Sequence, residues 1–238
     1  MLDWIAFDAD DTLWKNEEYY LEGRAEFQEI LQAYGLDADD IEHFDSFEVE
    51  NIRYFGYGVM SFVLSMIEIG IELTGEQIHP RDIRRIIQLG KRMLTQEVEV
   101  YQGVREVLES LAERFPLMLI TKGDLQHQRN KVRASGLGEY FQVLEVVSDK
   151  SSRVYREVLD RHGIEADHFL MIGNSLRSDV VPVLELGGWG LHLADHPTWS
   201  HEDESLDEGA YERYLEVEEI NAVIPLLKER GLLEARMS

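Results

Sequence analysis

Five short apolar runs, separated by helical patterns, constrain the fold of this chain most strongly. Between most of these runs, apolar residues recur at spacings of three and four, as from Val104 to Leu111. Continuous apolar runs of this length are typical of strands that are buried on both faces. Their alternation with helices predicts an α/β fold with a doubly wound, parallel, Rossmann-like sheet. The runs cover residues 3–7, 116–120, 141–147, 168–172 and 189–193.

One long segment, residues 16–96, interrupts this alternation because its patterns are helical throughout. Asn16, followed by two glutamates, predicts a helix start, and Gly35 predicts the end of that helix. Pro80 suits the first turn of a later helix. We therefore predict an inserted all-helical cap domain over residues 16–96, and an α/β core domain formed by residues 1–15 and 97–238.

The C-terminal part of the chain has a weaker pattern. The sequence after His196 is polar and acidic to about Glu212. Apolar residues then recur at roughly helical spacing, which predicts one closing helix. The residues of that pattern are Val217, Ile220, Ile224 and Leu227.

Composition excludes several classes of protein. The chain has no cysteine, so disulfides, thiolate metal sites and a cysteine nucleophile are excluded. Its net charge of -24 disfavours nucleic acids and anionic membranes, which are bound mainly through Lys and Arg. An acidic proteome in salt-adapted cells would produce the same charge without functional meaning. The longest apolar stretch, residues 59–73, is too short and too charged to span a bilayer. Because no basic segment opens the sequence, we expect a cytoplasmic protein that binds neither nucleic acid nor membrane.

An unusual cluster of acidic residues follows the first apolar run, in the stretch "AFDADDTLW" over residues 6–14. Asp8, Asp10 and Asp11 fall within four positions. At about 4 Å and an effective dielectric constant near 20, each like-charged pair costs on the order of 4 kcal/mol. A helix cap needs only one of these aspartates. A divalent cation would account for the cluster, because hard cations need oxygen ligands and local negative charge.

Polar residues also follow the other predicted strands. Thr121 follows the second run, Lys150 the third, and Asn174 and Asp179 the fourth. In open α/β sheets, ligands bind just beyond the carboxyl ends of the strands, so these residues are expected to meet the acidic cluster there. Carboxylates, a hydroxyl, an amide and a lysine are the groups that a phosphoryl-transfer site requires. Lys122 and Arg177 lie near the same edge, and we interpret them as surface charges.

With these residues in this order, the chain resembles the haloacid dehalogenase-like hydrolase superfamily, in its large phosphatase branch. The predicted helical insertion lies where that family carries a helical cap of the C1 type. Each motif alone is weak, but four motifs in order, each after a predicted strand, make a specific signal. The matching motifs are residues 8–13, Thr121 in "TKG", Lys150, and residues 173–179.

The resemblance implies a role for each motif residue. Asp8 would attack phosphorus to form an aspartyl-phosphate, and Asp10 would protonate the leaving oxygen and then deprotonate the hydrolytic water. Thr121 would bind a phosphate oxygen. Lys150 would neutralise the phosphate and keep Asp8 deprotonated. Thr12 would steady the loop, although a simple turn residue is an equal alternative at that position.

The resemblance also implies a Mg²⁺ ion at the site. Its ligands would be the Asp8 carboxylate, the Asp10 carbonyl, and Asp179 with Asn174, directly or through water. Many family members carry Asp where this chain has Asn174, so one negative charge is missing and Asp179 would carry more of the binding.

These residues predict a Mg²⁺-dependent phosphatase that acts on a small phosphorylated metabolite. Asp10 argues against a haloacid dehalogenase, in which no leaving alcohol needs a proton. Two alternatives stay open: a phosphomutase of the same superfamily, and a catalytically weak phosphate-binding or regulatory protein.

Overall fold

A computed structural model describes residues 1–37, 44–199, 206 and 211–233, with the side chain of Asp45 excepted. Six parallel strands in the described residues form one sheet in the order β3-β2-β1-β4-β5-β6. This order reverses direction between β1 and β4, as in doubly wound Rossmann-like sheets, and it confirms the predicted fold class. The strands are β1 Trp4–Phe7, β2 Leu117–Lys122, β3 Val143–Val147, β4 Phe169–Gly173, β5 Trp189–Leu193 and β6 Tyr214–Val217.

Helices connect most of these strands, and four of them follow β1 directly. Those four are α1 Glu17–Gln32, α2 Phe44–Phe55, α3 Val59–Leu73 and α4 Pro80–Thr95. The others are α5 Val104–Ala112, α6 Leu125–Ser135, α7 Ser152–His162, α8 Val181–Glu185 and α9 Val223–Glu229. A π-helical turn over Leu176–Val180 precedes α8. In the described part of the chain, no helix combines the length and the apolar character that crossing a membrane requires.

The sheet is buried on both faces because successive residues of a strand point to opposite sides. In β1, Ile5 and Phe7 pack in the same core cluster as the apolar residues of α5 and α9. Ala6, between them, packs on the other face with residues of α7 and with Val183 of α8. The continuous apolar runs of the sequence therefore reflect two separate cores, one on each face of the sheet.

The chain divides into two compact units. The first comprises residues 1–17, 98–122 and the described part of 128–238, and it contains the sheet. The second comprises the described part of residues 18–97 together with 123–127. The second unit has its own core, in which Phe27, Phe62, Met66 and Ile86 are buried. The predicted domain boundaries, and the role of the helical segment as a cap, stay predictions.

The end of the chain differs from the predicted single closing helix. Val217 lies in β6, which pairs in parallel with β5, and α9 begins only at Val223 after a 3₁₀ turn over Ile220–Ala222. The prediction failed because Leu215 and Val217 belong to an alternating strand pattern, in which Leu215 is buried against the sheet and Glu216 is exposed. Most of the polar stretch before β6, residues 200–205 and 207–210, lies outside the described residues.

Candidate active site

Three charged side chains from different strand ends meet at the point where the strand order reverses. Asp8 follows β1, and its backbone N–H donates to Ile172 O of β4 at 2.9 Å. Lys150 follows β3, and its ammonium donates to Asp8 Oδ1 and, at 2.6 Å, to Asp179 Oδ1. All three residues are buried. One buried ammonium group thus joins two carboxylates that lie far from it in the chain: Asp8 is 142 positions from Lys150, and Asp179 is 29 positions from it.

The electrostatics of this trio favour an ionised lysine. Burial lowers the pKa of Lys150, but Asp179 and Asp8 outweigh it and raise that pKa well above its ordinary value. Burial raises the pKa of Asp8 to about 7; Lys150 opposes this shift, and Asp179 adds to it. The trio has two carboxylates for one ammonium group in a buried setting, an excess of acidic groups that favours a bound cation.

The turn after β4 fixes the position of Asp179. Ser175 caps this turn by accepting a hydrogen bond from Ser178 N at 3.0 Å. Asp179 Oδ2 accepts from Ser175 N at 3.1 Å. Gly173 is needed here because a Cβ atom at that position would collide with the Asp179 carboxylate. The local sequence therefore directs Asp179 back towards Lys150.

Thr12 lies between Asp8 and Asn174. Its Oγ1 is 3.2 Å from Asp8 Oδ2 and 3.0 Å from Asn174 Oδ1, and it accepts from Asn174 N at 3.1 Å. A hydroxyl has a single proton, so Thr12 donates to one of the two side chains at a time. The contact with Asp8 places Thr12 beside the trio of Asp8, Lys150 and Asp179.

The Asn174 side chain makes contacts that a carboxylate could not make. Its Nδ2 donates to Pro197 O at 2.5 Å and lies 3.4 Å from Thr198 Oγ1. Thr198 Oγ1 in turn donates to Asn174 O at 2.9 Å. The amide therefore ties the end of β4 to residues 197–198, which gives this position a structural reason to carry Asn rather than Asp.

Asp10 lies in a separate hydrogen-bond network. Its Oδ1 accepts from Trp14 Nε1 and from Lys131 Nζ, both at 2.7 Å, and its Oδ2 accepts from Gln128 Nε2 at 2.8 Å. Burial raises the pKa of Asp10, but Lys131, Gln128 and Trp14 outweigh it, so the pKa lies below its ordinary value. Sequence reasoning missed Gln128 and Lys131. Their spacing of three on α6 puts them on one helix face, but the sequence does not say which residues that face contacts.

Asp11, the third aspartate of the cluster, acts as a helix cap. Its carboxylate accepts from Asn16 N at 2.9 Å and from Glu17 N at 2.9 Å, at the start of α1. Its φ of 60° lies in the left-handed region, which Asp tolerates better than most residues. Burial raises the pKa of Asp11 to about 7, and the Glu17 amide opposes that shift. Each of the three aspartates therefore has its own set of partners, which offsets part of the repulsion within the cluster.

The end of β2 contributes Thr121 and Lys122. Thr121 is buried, and its hydroxyl is 3.4 Å from Lys122 O. Lys122 is only partly exposed, and its Nζ donates to Ser178 Oγ at 3.0 Å, so it is not the surface charge that we inferred from the sequence. Arg177 is exposed, in agreement with that interpretation.

The predicted site residues thus fall into groups. Direct hydrogen bonds join Asp8, Thr12, Lys150, Asn174 and Asp179. Within the residues that the structure describes, the hydrogen bonds of the Asp10 carboxylate and of Thr121 lead to other partners.

The donor chemistry of this edge fits a hard divalent cation. Asp8 and Asp179 offer carboxylate oxygens that contact the same ammonium group, and carboxylates are ligands that Mg²⁺ accepts. No group of three or more His, Asp or Glu side chains among the described residues is arranged to hold a metal.

Comparisons with known proteins identify the family. A solved structure of a haloacid dehalogenase-like family hydrolase from Xanthomonas campestris is 42% identical, with a TM-score of 0.84, and covers 98% of this chain and 92% of that one. The putative HAD-hydrolase YfnB from Bacillus subtilis, whose structure was solved bound to magnesium, is 18% identical with a TM-score of 0.63 (95% and 98% covered). A 2-haloacid dehalogenase from Pseudomonas syringae shares the fold equally well, at 18% identity and a TM-score of 0.63 (97% and 100% covered).

Among curated proteins, the N-acylneuraminate-9-phosphatase of Rattus norvegicus is 26% identical over 104 residues. The corresponding protein of Homo sapiens is 25% identical over the same length. These matches span 42% of this chain and 42% of each relative, so they cover less than half of either protein. The model of the haloacid dehalogenase-like hydrolases matches residues 2–183. Since this match covers most of the chain and agrees with its fold, the protein belongs to the haloacid dehalogenase-like hydrolase family.

Proposed function

We propose that the protein is a Mg²⁺-dependent phosphatase that hydrolyses a small phosphorylated metabolite through an aspartyl-phosphate intermediate. The observation that carries this proposal is the buried contact of Lys150 with both Asp8 and Asp179 at the strand-order switch. This contact holds together the carboxylate that would act as nucleophile, the ammonium group that would bind the phosphate, and a second carboxylate that would bind a metal.

In the first half-reaction, a carboxylate oxygen of Asp8 attacks phosphorus and the bond from phosphorus to the leaving oxygen breaks. Asp10, in its protonated form, supplies the proton that the leaving oxygen takes up; because its hydrogen-bond partners favour the carboxylate, this form is the minor one near neutral pH. Lys150 and the Thr121 hydroxyl would bind non-bridging phosphate oxygens. Thr12, 3.2 Å from Asp8 Oδ2, would orient the attacking carboxylate.

In the second half-reaction, water attacks the phosphorus of the aspartyl-phosphate. Asp10, now a carboxylate, takes a proton from that water. The bond from phosphorus to the Asp8 oxygen breaks, inorganic phosphate leaves, and Asp8 is again a free carboxylate. The same residue thus serves as acid and then as base, which conserves protons over the cycle.

Mg²⁺ would be held by Asp8, the Asp10 carbonyl and Asp179, with Asn174 contributing directly or through water. When bound, the ion neutralises charge on the transferring phosphoryl group and orients it. It would also reduce the repulsion between Asp8 and the phosphate dianion. Because position 174 carries an amide where many family members carry a carboxylate, we expect modest affinity for the metal.

The choice of a phosphatase over a dehalogenase rests on Asp10 and on the curated relatives. A halide leaves without a proton, whereas an alkoxide leaving group needs one, and Asp10 is two positions from the nucleophile. The partial match to N-acylneuraminate-9-phosphatases supports a phosphorylated metabolite as substrate.

The test is a phosphate-release screen over a panel of phosphomonoesters, with and without Mg²⁺, on the wild type and Asp8→Asn. We expect release that depends on Mg²⁺, and a loss of kcat/KM of at least about 1,000-fold in Asp8→Asn, equivalent to about 4 kcal/mol. Asp167→Asn, at an exposed position of the same unit, is the matched control and should retain full activity.

Other results would contradict the proposal. Activity retained in Asp8→Asn would exclude Asp8 as the nucleophile. Isomerised sugar phosphate without phosphate release would assign the protein as a phosphomutase. Phosphate binding with no turnover of any ester would indicate a binding or regulatory protein.

A further inference from the structure

The carboxylate of Asp10 is held by three donors that no family motif includes. Trp14 Nε1 and Lys131 Nζ both donate to Oδ1 at 2.7 Å, and Gln128 Nε2 donates to Oδ2 at 2.8 Å. Lys131 also donates to Asn16 Oδ1 at 2.7 Å, so two acceptors fix its ammonium group. The three donors come from the segment after β1 and from α6.

The orientation of the Gln128 amide is determined by its two acceptors. Its Nε2 donates to Asp10 Oδ2 and to Lys122 O at 2.7 Å. Its buried Oε1 accepts no hydrogen bond from the described residues. Rotating the amide by 180° would place Oε1 against two other oxygens and remove both bonds. The side chain therefore keeps a buried unpaired acceptor in order to donate to Asp10.

The three hydrogen bonds leave one acceptor position of the Asp10 carboxylate open. A carboxylate has about four acceptor positions, two on each oxygen. Among the described residues, Oδ1 accepts two donors and Oδ2 accepts one. Oδ2 therefore keeps one position for a reacting proton, while Oδ1 is saturated.

We propose that Lys131 and Gln128 are positioning residues for Asp10. They direct Oδ2 of Asp10, which carries the proton, towards the leaving oxygen. This inference rests on the proposed function, in which Asp10 serves as acid and base. As the bond from phosphorus to the leaving oxygen breaks, the proton passes from Oδ2 to that oxygen. It is replaced on Oδ2 by one from water when the aspartyl-phosphate is hydrolysed. Neither Lys131 nor Gln128 needs to touch the substrate.

The experiment compares kcat/KM for p-nitrophenyl, phenyl and benzyl phosphate, whose leaving groups are increasingly basic but similar in shape. This parameter reports the steps up to release of the leaving group. We expect Lys131→Met to lower it about 10- to 100-fold for benzyl phosphate, which depends on protonation, because the loss of a fixed Oδ2 outweighs the larger protonated fraction of Asp10 that follows removal of the ammonium group. For p-nitrophenyl phosphate, whose phenolate leaves without a proton, the loss should be threefold at most, roughly. Gln128→Met should act in the same direction, and Lys131→Arg should restore part of the benzyl phosphate activity.

Arg129→Met is the matched control. It removes a positive charge from an exposed position of α6. We expect equal, small effects on all three substrates. Thermal melting would show whether each variant folds. If Lys131→Met does not fold, Lys131→Arg and Gln128→Met carry the same comparison.

A uniform loss over the three substrates, or no loss, would overturn the positioning role. The proposed function fails separately, through a wild type inactive on every ester or an Asp8→Asn variant that remains active. If wild type and Asp8→Asn behave as expected and the substrate ratio does not change in Lys131→Met, the positioning role alone is wrong.

Discussion

Three aspartates close together in the chain have three different sets of partners. Asp8 contacts Lys150 and Thr12, Asp10 is held by donors from Trp14 and α6, and Asp11 caps α1. Hydrogen-bond and ion-pair partners thereby offset part of the repulsion among them at each carboxylate separately. This division would allow a single short segment to supply the proposed nucleophile, the proposed acid and base, and a helix start.

Asn174 gives a prediction at the residue scale. Asn174→Asp adds a negative charge beside the proposed Mg²⁺ ligands, so the half-saturating Mg²⁺ concentration should fall about fivefold, or about 1 kcal/mol. The variant also loses the donor to Pro197 O, which should lower the free energy of unfolding by about 1–2 kcal/mol. Activity titrated with Mg²⁺, together with urea denaturation, measures both effects.

Asn221→Asp is the matched control for Asn174→Asp. It adds the same charge at an exposed position of the same unit. It should leave the Mg²⁺ requirement unchanged. If the Mg²⁺ requirement is unaltered in Asn174→Asp, Asn174 does not belong to the metal site. Its role would then be the structural contact with residues 197–198.

The contacts of Asp8, Lys150 and Asp179 could be foreseen from the sequence because parallel strands end at a common edge. The partners of Asp10 were harder to foresee, since a helix face is assigned only when the rotation of α6 about its axis is known. The Asn174 contact could not be foreseen either. Residues 197–198 follow the last predicted strand without a periodic pattern, so nothing in the sequence places Pro197 O beside an amide.

At the scale of elements, strands buried on both faces were predicted best. The predicted run at residues 189–193 coincides with β5, and the others are displaced by only one or two residues at their ends. β6 was missed because a strand of four residues with only Leu215 fully buried has too few positions to distinguish alternation from helical spacing. Its parallel pairing with β5, a tertiary interaction, decided the outcome.

The helical unit gives a prediction about pH, through the start of α4. Tyr34 donates to Asp82 Oδ2 at 2.7 Å and accepts from His79 N at 2.8 Å. The Tyr34 hydrogen bond lowers the pKa of Asp82; burial opposes it, and Arg81 and Arg85 add to the lowering. Since the folded pKa lies below the unfolded one, ionised Asp82 stabilises the fold above about pH 4. That stabilisation is lost as the pH falls through the folded pKa.

Asp82→Asn should therefore lower the free energy of unfolding by about 1 kcal/mol at pH 7, with a smaller difference from the wild type at pH 3.5. Urea denaturation at pH 7, 5 and 3.5 measures the difference. Glu72→Gln, at an exposed position of α3, is the control and should have little effect at any of these values. A difference for Asp82→Asn that stays constant with pH would mean that the carboxylate charge contributes nothing.

At the scale of the whole molecule, the excess of acidic residues opposes the proposed substrate. The chain carries 47 acidic and 23 basic residues, whereas a phosphomonoester is an anion. Three lysines lie at the proposed site or beside it, and each is bound to oxygen atoms of the α/β unit: Lys122, Lys131 and Lys150. The net negative charge of the protein therefore repels the substrate at long range, whereas the lysines attract it at short range.

Ionic strength separates these two effects, because salt screens the long-range field far more than buried contacts. Raising it from about 10 mM to 300 mM shortens the Debye length from about 30 Å to about 6 Å. If the net charge governs the encounter, kcat/KM for p-nitrophenyl phosphate should rise severalfold, whereas kcat should stay nearly constant. Chloride and acetate salts, compared at equal ionic strength and fixed Mg²⁺, control for competition by the anion. A fall of kcat/KM in both salts would instead mean that the lysines at the site attract the substrate more strongly, at encounter distance, than the rest of the surface repels it.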